Sequence, residues 1–249
     1  MGVLDELVAR AHRRAQGLGN LPLSNPNSHV DFRDAIAGKD RISVIAEFKR
    51  CSPSLGQIRT DADITRQVKN YIEGGASAIS VLTEPTRFRG SYEDLRLAVA
   101  AGDVPALMKD FVVSPRQVEL AASLGASAVL LIVRCLPGPL LGELVESCRQ
   151  CQLTPMIECH EKDEIEIALE FEDAVIGVNH RNLSTLVVDV ERGRELMKSI
   201  PRERVVVSDS GVQKPEDVRH LRGLVDAVLI GTALMRAARP QDFLKEVLS

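Results

Sequence analysis

The chain has 249 residues, 45% hydrophobic and 27% charged, and its 31 basic and 35 acidic side chains give a formal charge of −4. That apolar share builds one sizeable core, and a single α/β barrel commonly reaches this length. No basic tail or arginine stripe points to nucleic acid, aromatics at 3% leave little for base stacking, and no run of 18 apolar residues predicts a membrane span.

Met1 leads into an amphipathic stretch without an apolar leader core, which places the expected protein in the cytoplasm. Residues 4–16 carry helical periodicity, and residues 19–30 are rich in Gly, Pro, Asn and Ser. We therefore expect residues 1–40 to form an extension that covers one end of the barrel or part of its rim. Residues 41–249 would form the barrel itself, all within one domain.

From there a rhythm sets in. Short apolar, β-branched runs recur at 42–48, 78–83, 105–111, 128–133, 154–159, 174–179, 205–210 and 227–232. Stretches with helical spacing lie between most of them, at 64–74, 115–124, 140–151, 161–169, 190–197 and 215–221. Near-continuous apolar strands alternating with amphipathic helices imply a parallel sheet covered by helices. Eight such repeats predict a closed (β/α)8 TIM barrel with an N-terminal helical extension, with a doubly wound open sheet as the alternative. The pairs Gly75-Ala76 and Gly125-Ala126 suit helix exits, where glycine tolerates the left-handed conformation.

In such a barrel the active site is built at the C-terminal ends of the strands. Glu47 and Lys49 stand two positions apart at the end of the first run, so both point to one side. Lys109 interrupts the end of the third run and Glu158 that of the fifth. Asn179 closes the sixth, with Arg181 two residues beyond, and Ser208 and Ser210 share parity at the end of the seventh. Charges are seldom buried without partners, so their recurrence at equivalent strand ends predicts a shared cavity. A lysine beside another cation, or partly desolvated, has its pKa lowered and becomes a proton donor near neutrality. A glutamate beside a lysine stays ionised and serves as a base. Schiff-base chemistry of an aldolase-type lyase also remains open on these residues alone.

Ser210-Gly211 and Gly231-Thr232 end adjacent strands where barrels often bind phosphate through backbone N–H groups, and Ser52 opens a Ser/Pro/Gly loop after the first strand. A phosphorylated small molecule is the expected ligand. Cys148 and Cys151 form a lone C-x-x-C without a second pair or a spaced histidine, and read as reduced thiols. His160 and His180 read as ordinary loop histidines, and Arg192 and Arg194 as a solvated face.

At this point the chain resembles the indole-3-glycerol phosphate synthase family. The stretch 45–56, IAEFKRCSPSLG, is similar to that family's signature around the first strand. FRGS at 88–91, LMKDF at 107–111, AVLLIV at 128–133, IEC at 157–159, IGVNHRNL at 176–183, SDSGV at 208–212 and LIGTALM at 229–235 follow in order. The likeness runs from about residue 32 to the C-terminus.

The resemblance implies a carboxy-lyase of tryptophan biosynthesis. It would act on 1-(2-carboxyphenylamino)-1-deoxyribulose 5-phosphate and release indole-3-glycerol phosphate, carbon dioxide and water. No cofactor and no metal are expected, and the protein is expected to work as a monomer or weak homodimer. By the same resemblance Lys109 is the general acid of ring closure and Glu158 the second acid/base group, acting in dehydration. Lys49 binds the substrate carboxylate and helps protonate, Glu47 organises the lysines, and Asn179 and Arg181 orient the anthranilate part. Ser52, Gly211, Gly231 and Thr232 contact phosphate, and Ser210 lies beside the sugar. Phe88, Phe111, Leu130 and Leu183 line the apolar wall.

Two positions depart from the family pattern. Asp209 stands where glutamate is usual, and the lost methylene is expected to draw its carboxylate about 1.5 Å from a partner. Arg87 stands where an aromatic residue is common. These departures keep two further readings open, a paralogue acting on a modified anthranilate-derived sugar phosphate and a non-catalytic sugar-phosphate-binding homologue.

Overall fold

The computed structural model describes residues 2–19, 31–38, 41–182 and 186–249. Most of the Gly/Pro-rich stretch expected at 19–30, and Leu183 with it, lie outside the described residues.

Eight parallel strands close into a barrel: β1 (Ser43–Phe48), β2 (Ala78–Leu82), β3 (Ala106–Lys109), β4 (Ala128–Ile132), β5 (Thr154–Cys159), β6 (Val175–Asn179), β7 (Val206–Asp209) and β8 (Ala227–Ile230). β1 pairs with both β2 and β8, with Ser43 opposite Ala227, so no edge is left open. The strands read as buried on both faces because one face meets the barrel interior and the other the helical ring. That double burial is why they appear as apolar runs and not as alternating patterns. The closed barrel excludes the open-sheet alternative.

Several boundaries differ from the sequence expectation, each for a local reason. β3 stops at Lys109 because Asp110 folds back, accepting from the Phe111 N–H at 2.7 Å and from the Thr83 hydroxyl at 2.8 Å. β7 stops at Asp209 because Ser210 (φ 70°) and Gly211 (φ 95°) turn the chain. Thr232 belongs not to β8 but to the short helix Thr232–Arg236. Pro215–Leu221 is a 3-10 helix that buries Val218 and Leu221, three residues apart, which is the 3-10 repeat. A helix at Tyr92–Ala100 was missing from the sequence pattern. Its buried face includes Asp94, which breaks the apolar periodicity and holds Arg50 at 2.6 and 2.8 Å. The expected glycine exits are present, at Gly75 (φ 94°) and Gly125 (φ 83°).

The N-terminal extension serves both ends of the barrel. Phe32 and Ile36, on the helix Phe32–Ile36, are fully buried against β1 and β2, and Gly38 N–H donates to Asp226 just ahead of β8. Helix α1 (Val3–Gln16) instead lies over the C-terminal mouth. Arg14 reaches the buried carboxylates of Asp110 and Glu84, Glu6 pairs with Arg87 at 2.7 Å, and Arg116 donates to the Leu18 carbonyl at 3.1 Å. Arg87, one of the two departures from the family pattern, thus anchors α1. No helix among the described residues is long and apolar enough to cross a membrane.

Candidate active site

The mouth of the barrel collects the charges that the sequence placed at strand ends. Glu47 from β1, Lys109 from β3, Glu158 from β5 and Asp209 from β7 all come from alternate strands. In a (β/α)8 barrel, alternate strands supply the four side chains of one interior layer. Here the outermost layer is ionic.

Its members form a chain of alternating sign. Lys49 Nζ lies 2.7 Å from Glu47 Oε1, Lys109 Nζ lies 2.9 Å from Glu47 Oε2, and Lys109 Nζ lies 2.6 Å from Asp209 Oδ2. The Ser210 hydroxyl donates to Asp209 Oδ1 at 3.2 Å. Burial opposes the charges of Glu47 and Asp209, but the lysines hold both below the ordinary carboxylate range.

Two expectations are corrected here. Burial alone would depress Lys109, but Asp209, Glu47 and Glu158 together push its pKa upward, so it is a held cation and not a lysine with a lowered pKa. Asp209 does not fall short, because its carboxylate is within hydrogen-bond distance of Lys109 despite the missing methylene.

Glu158 behaves differently from the other two carboxylates. It is 2% exposed, and its burial raises the pKa. The Asp209 charge adds to that rise, against the opposing pull of His160, Lys109 and the Asn179 amide. Asn179 Oδ1 accepts from the Arg181 backbone N–H at 2.9 Å, which fixes the amide with its NH2 toward Glu158. The layer therefore pairs a cation, Lys109, with a carboxyl group whose pKa is shifted upward, opposite to Glu47 and Asp209.

The walls follow the same placement. Phe88, Phe111 and Leu130 line an apolar side of the cavity, joined by Val3, Leu4 and Leu7 of α1. The α1 contribution was not foreseen, since an amphipathic stripe announces a helix but not what the stripe covers. Leu183 lies outside the described residues; Leu186 lines the wall nearby, and its carbonyl accepts from Arg181 at 2.9 Å. Glu84, fully buried at the end of the second sequence run, was also missed. It gathers the N–H groups of Thr86, Arg87 and Phe88 at 2.9, 2.6 and 3.1 Å and shapes the loop that presents Phe88.

A second lobe of the mouth is lined by Lys49, Ser54, Ser210, Gly211, Gly231, Thr232 and Arg236. A Cβ on Gly231 would lie 2.2 Å from Glu47 Oε1 and 3.0 Å from Lys49 Nζ, so this glycine makes room for the ion pair. Ser52 lies at the rim, its hydroxyl accepting from the Leu55 N–H at 3.3 Å and 3.4 Å from the Ser54 hydroxyl. Every proposed site residue within the described residues lines this mouth, with apolar and ionic regions side by side.

The two histidines stand just past strand ends, as expected of loop residues, but both are buried. His180 is buried, its Nε2 2.7 Å from the Ser208 hydroxyl, and that pairing turns Ser208 away from the mouth. His160 is buried with Nε2 3.3 Å from Glu158 Oε1.

Comparison with known proteins agrees with this geometry. The family model described as indole-3-glycerol phosphate synthase matches residues 5–247. The protein of that name from Methanothermobacter marburgensis is 43% identical over 228 residues, covering 91% of this chain and 81% of its own. That of an Exiguobacterium species is 42% identical over 250 residues, covering 99% and 96%. Among solved structures, thiamine phosphate pyrophosphorylase from Pyrococcus furiosus superposes with a TM-score of 0.64 at 18% identity, covering 87% of this chain and 96% of that one. Tryptophan synthase from M. tuberculosis does so with a TM-score of 0.62 at 13% identity, covering 87% and 94%. At such identities the structures speak for the barrel fold alone.

Proposed function

The chain belongs to the indole-3-glycerol phosphate synthase family, carboxy-lyases of tryptophan biosynthesis, and on that premise we propose how its mouth divides the chemistry. The observation that carries the reading is the contrast within one layer. Lys109 is held as a cation by two carboxylates, while burial raises the pKa of Glu158 instead of lowering it.

The substrate, 1-(2-carboxyphenylamino)-1-deoxyribulose 5-phosphate, carries an anion at each end and an aromatic ring between. Its phosphate fits the lobe of Gly211, Gly231 and Thr232, with Ser52 at the rim and Ser210 beside the sugar. Its ring fits the wall of Phe88, Phe111 and Leu130, with Asn179 and Arg181 orienting it and Lys49 taking the carboxylate.

A ring carbon attacks the ketone, a C–C bond forms, and the carbonyl oxygen becomes an alkoxide. Lys109 supplies the proton; even a lysine of raised pKa gives it up readily to so strong a base. The bond to the carboxylate then breaks, carbon dioxide leaves, and its electron pair restores the aromatic ring. Glu158 protonates the remaining hydroxyl, the nitrogen lone pair expels water, and loss of a proton from carbon to the Glu158 carboxylate so formed completes the indole. Glu47 keeps both lysines in place throughout. Because Asp209 reaches Lys109, the shorter acid gives no ground for a modified substrate.

The extension 1–40 belongs to the same unit as the barrel 41–249, since its helices pack at both ends. The five cysteines are unpaired thiols, which fits the cytoplasm. Turnover of the synthetic substrate, followed by indole fluorescence, tests the assignments. Lys109→Ala and Glu158→Gln each lower kcat about 100-fold or more, and near-normal turnover in either removes that residue from the mechanism.

A further inference from the structure

The helix Ile64–Glu73 packs against β1 and carries two polar side chains on its buried stripe. Ile64, Gln67, Val68 and Tyr71 stand at positions i, i+3, i+4 and i+7, and all four are buried, Gln67 with 4% and Tyr71 with 0% exposed. Leucine and phenylalanine would fill such places at no polar cost, whereas a buried amide or hydroxyl is destabilising unless it is bonded. Both groups are bonded here, and their partners belong to the active-site end of the barrel. The Tyr71 hydroxyl lies 3.2 Å from the Glu47 carbonyl and 3.3 Å from Met235 Sδ. Gln67 Nε2 donates to the Leu234 carbonyl at 3.5 Å, and the same side chain hydrogen-bonds the Tyr71 hydroxyl.

These partners lie on two segments that the strand ladder does not join. β8 pairs with β1 only as far as Ile230 opposite Ala46, because the chain then leaves the sheet at Gly231 and enters the helix Thr232–Arg236. Glu47 stands one residue beyond that last pair, and Leu234 and Met235 belong to the helix. Tyr71 and Gln67 therefore bridge the end of β1 to the element that follows β8. A carbonyl accepts better than a thioether, so the single hydroxyl proton goes to Glu47, with the Met235 sulfur against the same oxygen. Burial pushes the Tyr71 hydroxyl above its ordinary pKa, so it stays a donor. Clearance across this junction is small. A Cβ on Gly231 would lie 2.2 Å from Glu47 Oε1, so the turn and the carboxylate leave no room for a methyl group between them.

We infer that Tyr71, supported by Gln67, is a positioning residue that sets the phosphate-binding turn Gly231–Thr232 against the Glu47–Lys49 pair. The inference rests on the reading of the lobe of Gly211, Gly231 and Thr232 as the phosphate site. Tyr71 has no exposed surface, so it acts on the substrate only through the two segments it joins. Glu47 is held independently by Lys49 at 2.7 Å and Lys109 at 2.9 Å. Loss of the hydroxyl therefore loosens the helix Thr232–Arg236 and not the carboxylate. A substrate anchored by its phosphate then lies out of line with Lys49 and Lys109, whereas one without a phosphate does not register the change.

The test compares Tyr71→Phe and Gln67→Met with the unsubstituted protein, using the phosphorylated substrate, its dephosphorylated form, and inorganic phosphate as a competing ligand. Tyr71→Phe keeps the ring and removes only the hydroxyl. We expect it to lower kcat/KM for the phosphorylated substrate about 10-fold and to weaken inhibition by inorganic phosphate about 5-fold. For the dephosphorylated substrate kcat/KM should stay within about 2-fold, because no phosphate holds that molecule to the loosened turn. Gln67→Met, which leaves the Tyr71 hydroxyl in place, should move the same two quantities in the same direction by less. Unchanged phosphate inhibition in Tyr71→Phe, or equal losses with both substrates, would overturn the inference and leave Tyr71 a packing residue. Failure of inorganic phosphate to compete with substrate in the unsubstituted protein would instead sink the phosphate reading of the lobe, and the inference with it.

Discussion

Replacing Lys109 with methionine removes one charge from a buried chain of four at nearly constant volume. Glu47 keeps Lys49 at 2.7 Å, but Asp209 keeps only the Ser210 hydroxyl at 3.2 Å. Stripping one partner from a buried ion pair costs about 3–5 kcal/mol. A ceiling operates here, because Asp209 can take up a proton instead. From the ordinary value of 3.8, that costs about 4 kcal/mol at pH 7, by the rule of about 1.4 kcal/mol per pH unit. We therefore expect a loss of about 3–4 kcal/mol at pH 7, measured by urea unfolding. Far-UV circular dichroism is the appropriate signal because the chain has no tryptophan. At pH 5 the ceiling drops, and the loss should shrink to roughly 2 kcal/mol or less. Adding Asp209→Asn should recover most of the stability at pH 7. A Lys109→Met protein within about 1 kcal/mol of the parent, or a deficit that ignores pH, would refute the picture of a mutually compensating ionic layer.

Glu158→Gln trades activity for stability: burial raises the Glu158 pKa, so the parent loses stability as pH rises through that value, whereas glutamine does not titrate. Its melting temperature relative to the parent should therefore be higher at pH 8 than at pH 4, and an equal or lower offset would contradict the assignment. Gly231→Ala inserts a methyl 2.2 Å from Glu47 Oε1, which must displace the pair with Lys49. A shift of about 1 Å at a catalytic group costs on the order of 100-fold in kcat/KM, and unchanged kinetics would show that the pair is not part of the working geometry. Glu164 is held at about 2 against an ordinary 4.5, so its contribution of roughly 3 kcal/mol is present above pH 4.5 and fades as pH falls toward 2. The urea midpoints of Glu164→Gln and the parent should differ at pH 7 and converge only as pH falls to about 2; a gap undiminished in acid would count against the ion pair.

The barrel was legible in the sequence because each strand, buried on both faces, reads as an apolar run, and a charge such as Lys109 or Glu158 stands out within one. The helix Tyr92–Ala100 was not legible, since Asp94 occupies its buried face for the sake of Arg50. The protonation of the site was not legible either. A lysine with a lowered pKa was expected, and a raised one was found, because the groups that decide it arrive from three other strands. Asp209 looked too short by counting methylenes, but reach depends on where Lys109 stands, and that is set by strand register. His160 follows its strand in the sequence, and only the packing of Glu164 from the next helix turns it back against Glu158. The apolar stripe of α1 foretold a helix, but its place over the mouth rests on Arg14 and Glu6 meeting residues far along the chain.

The division of labour between Lys109 and Glu158 is tested most directly by a single-turnover experiment with substrate labelled with 14C in its carboxylate, timing carbon dioxide release against indole formation. Lys109→Ala should slow both events together, because ring closure precedes each. Glu158→Gln should release carbon dioxide at close to the unsubstituted rate while indole formation lags far behind. Carbon dioxide release slowed as much as indole formation in Glu158→Gln would contradict the account and place Glu158 in ring closure instead.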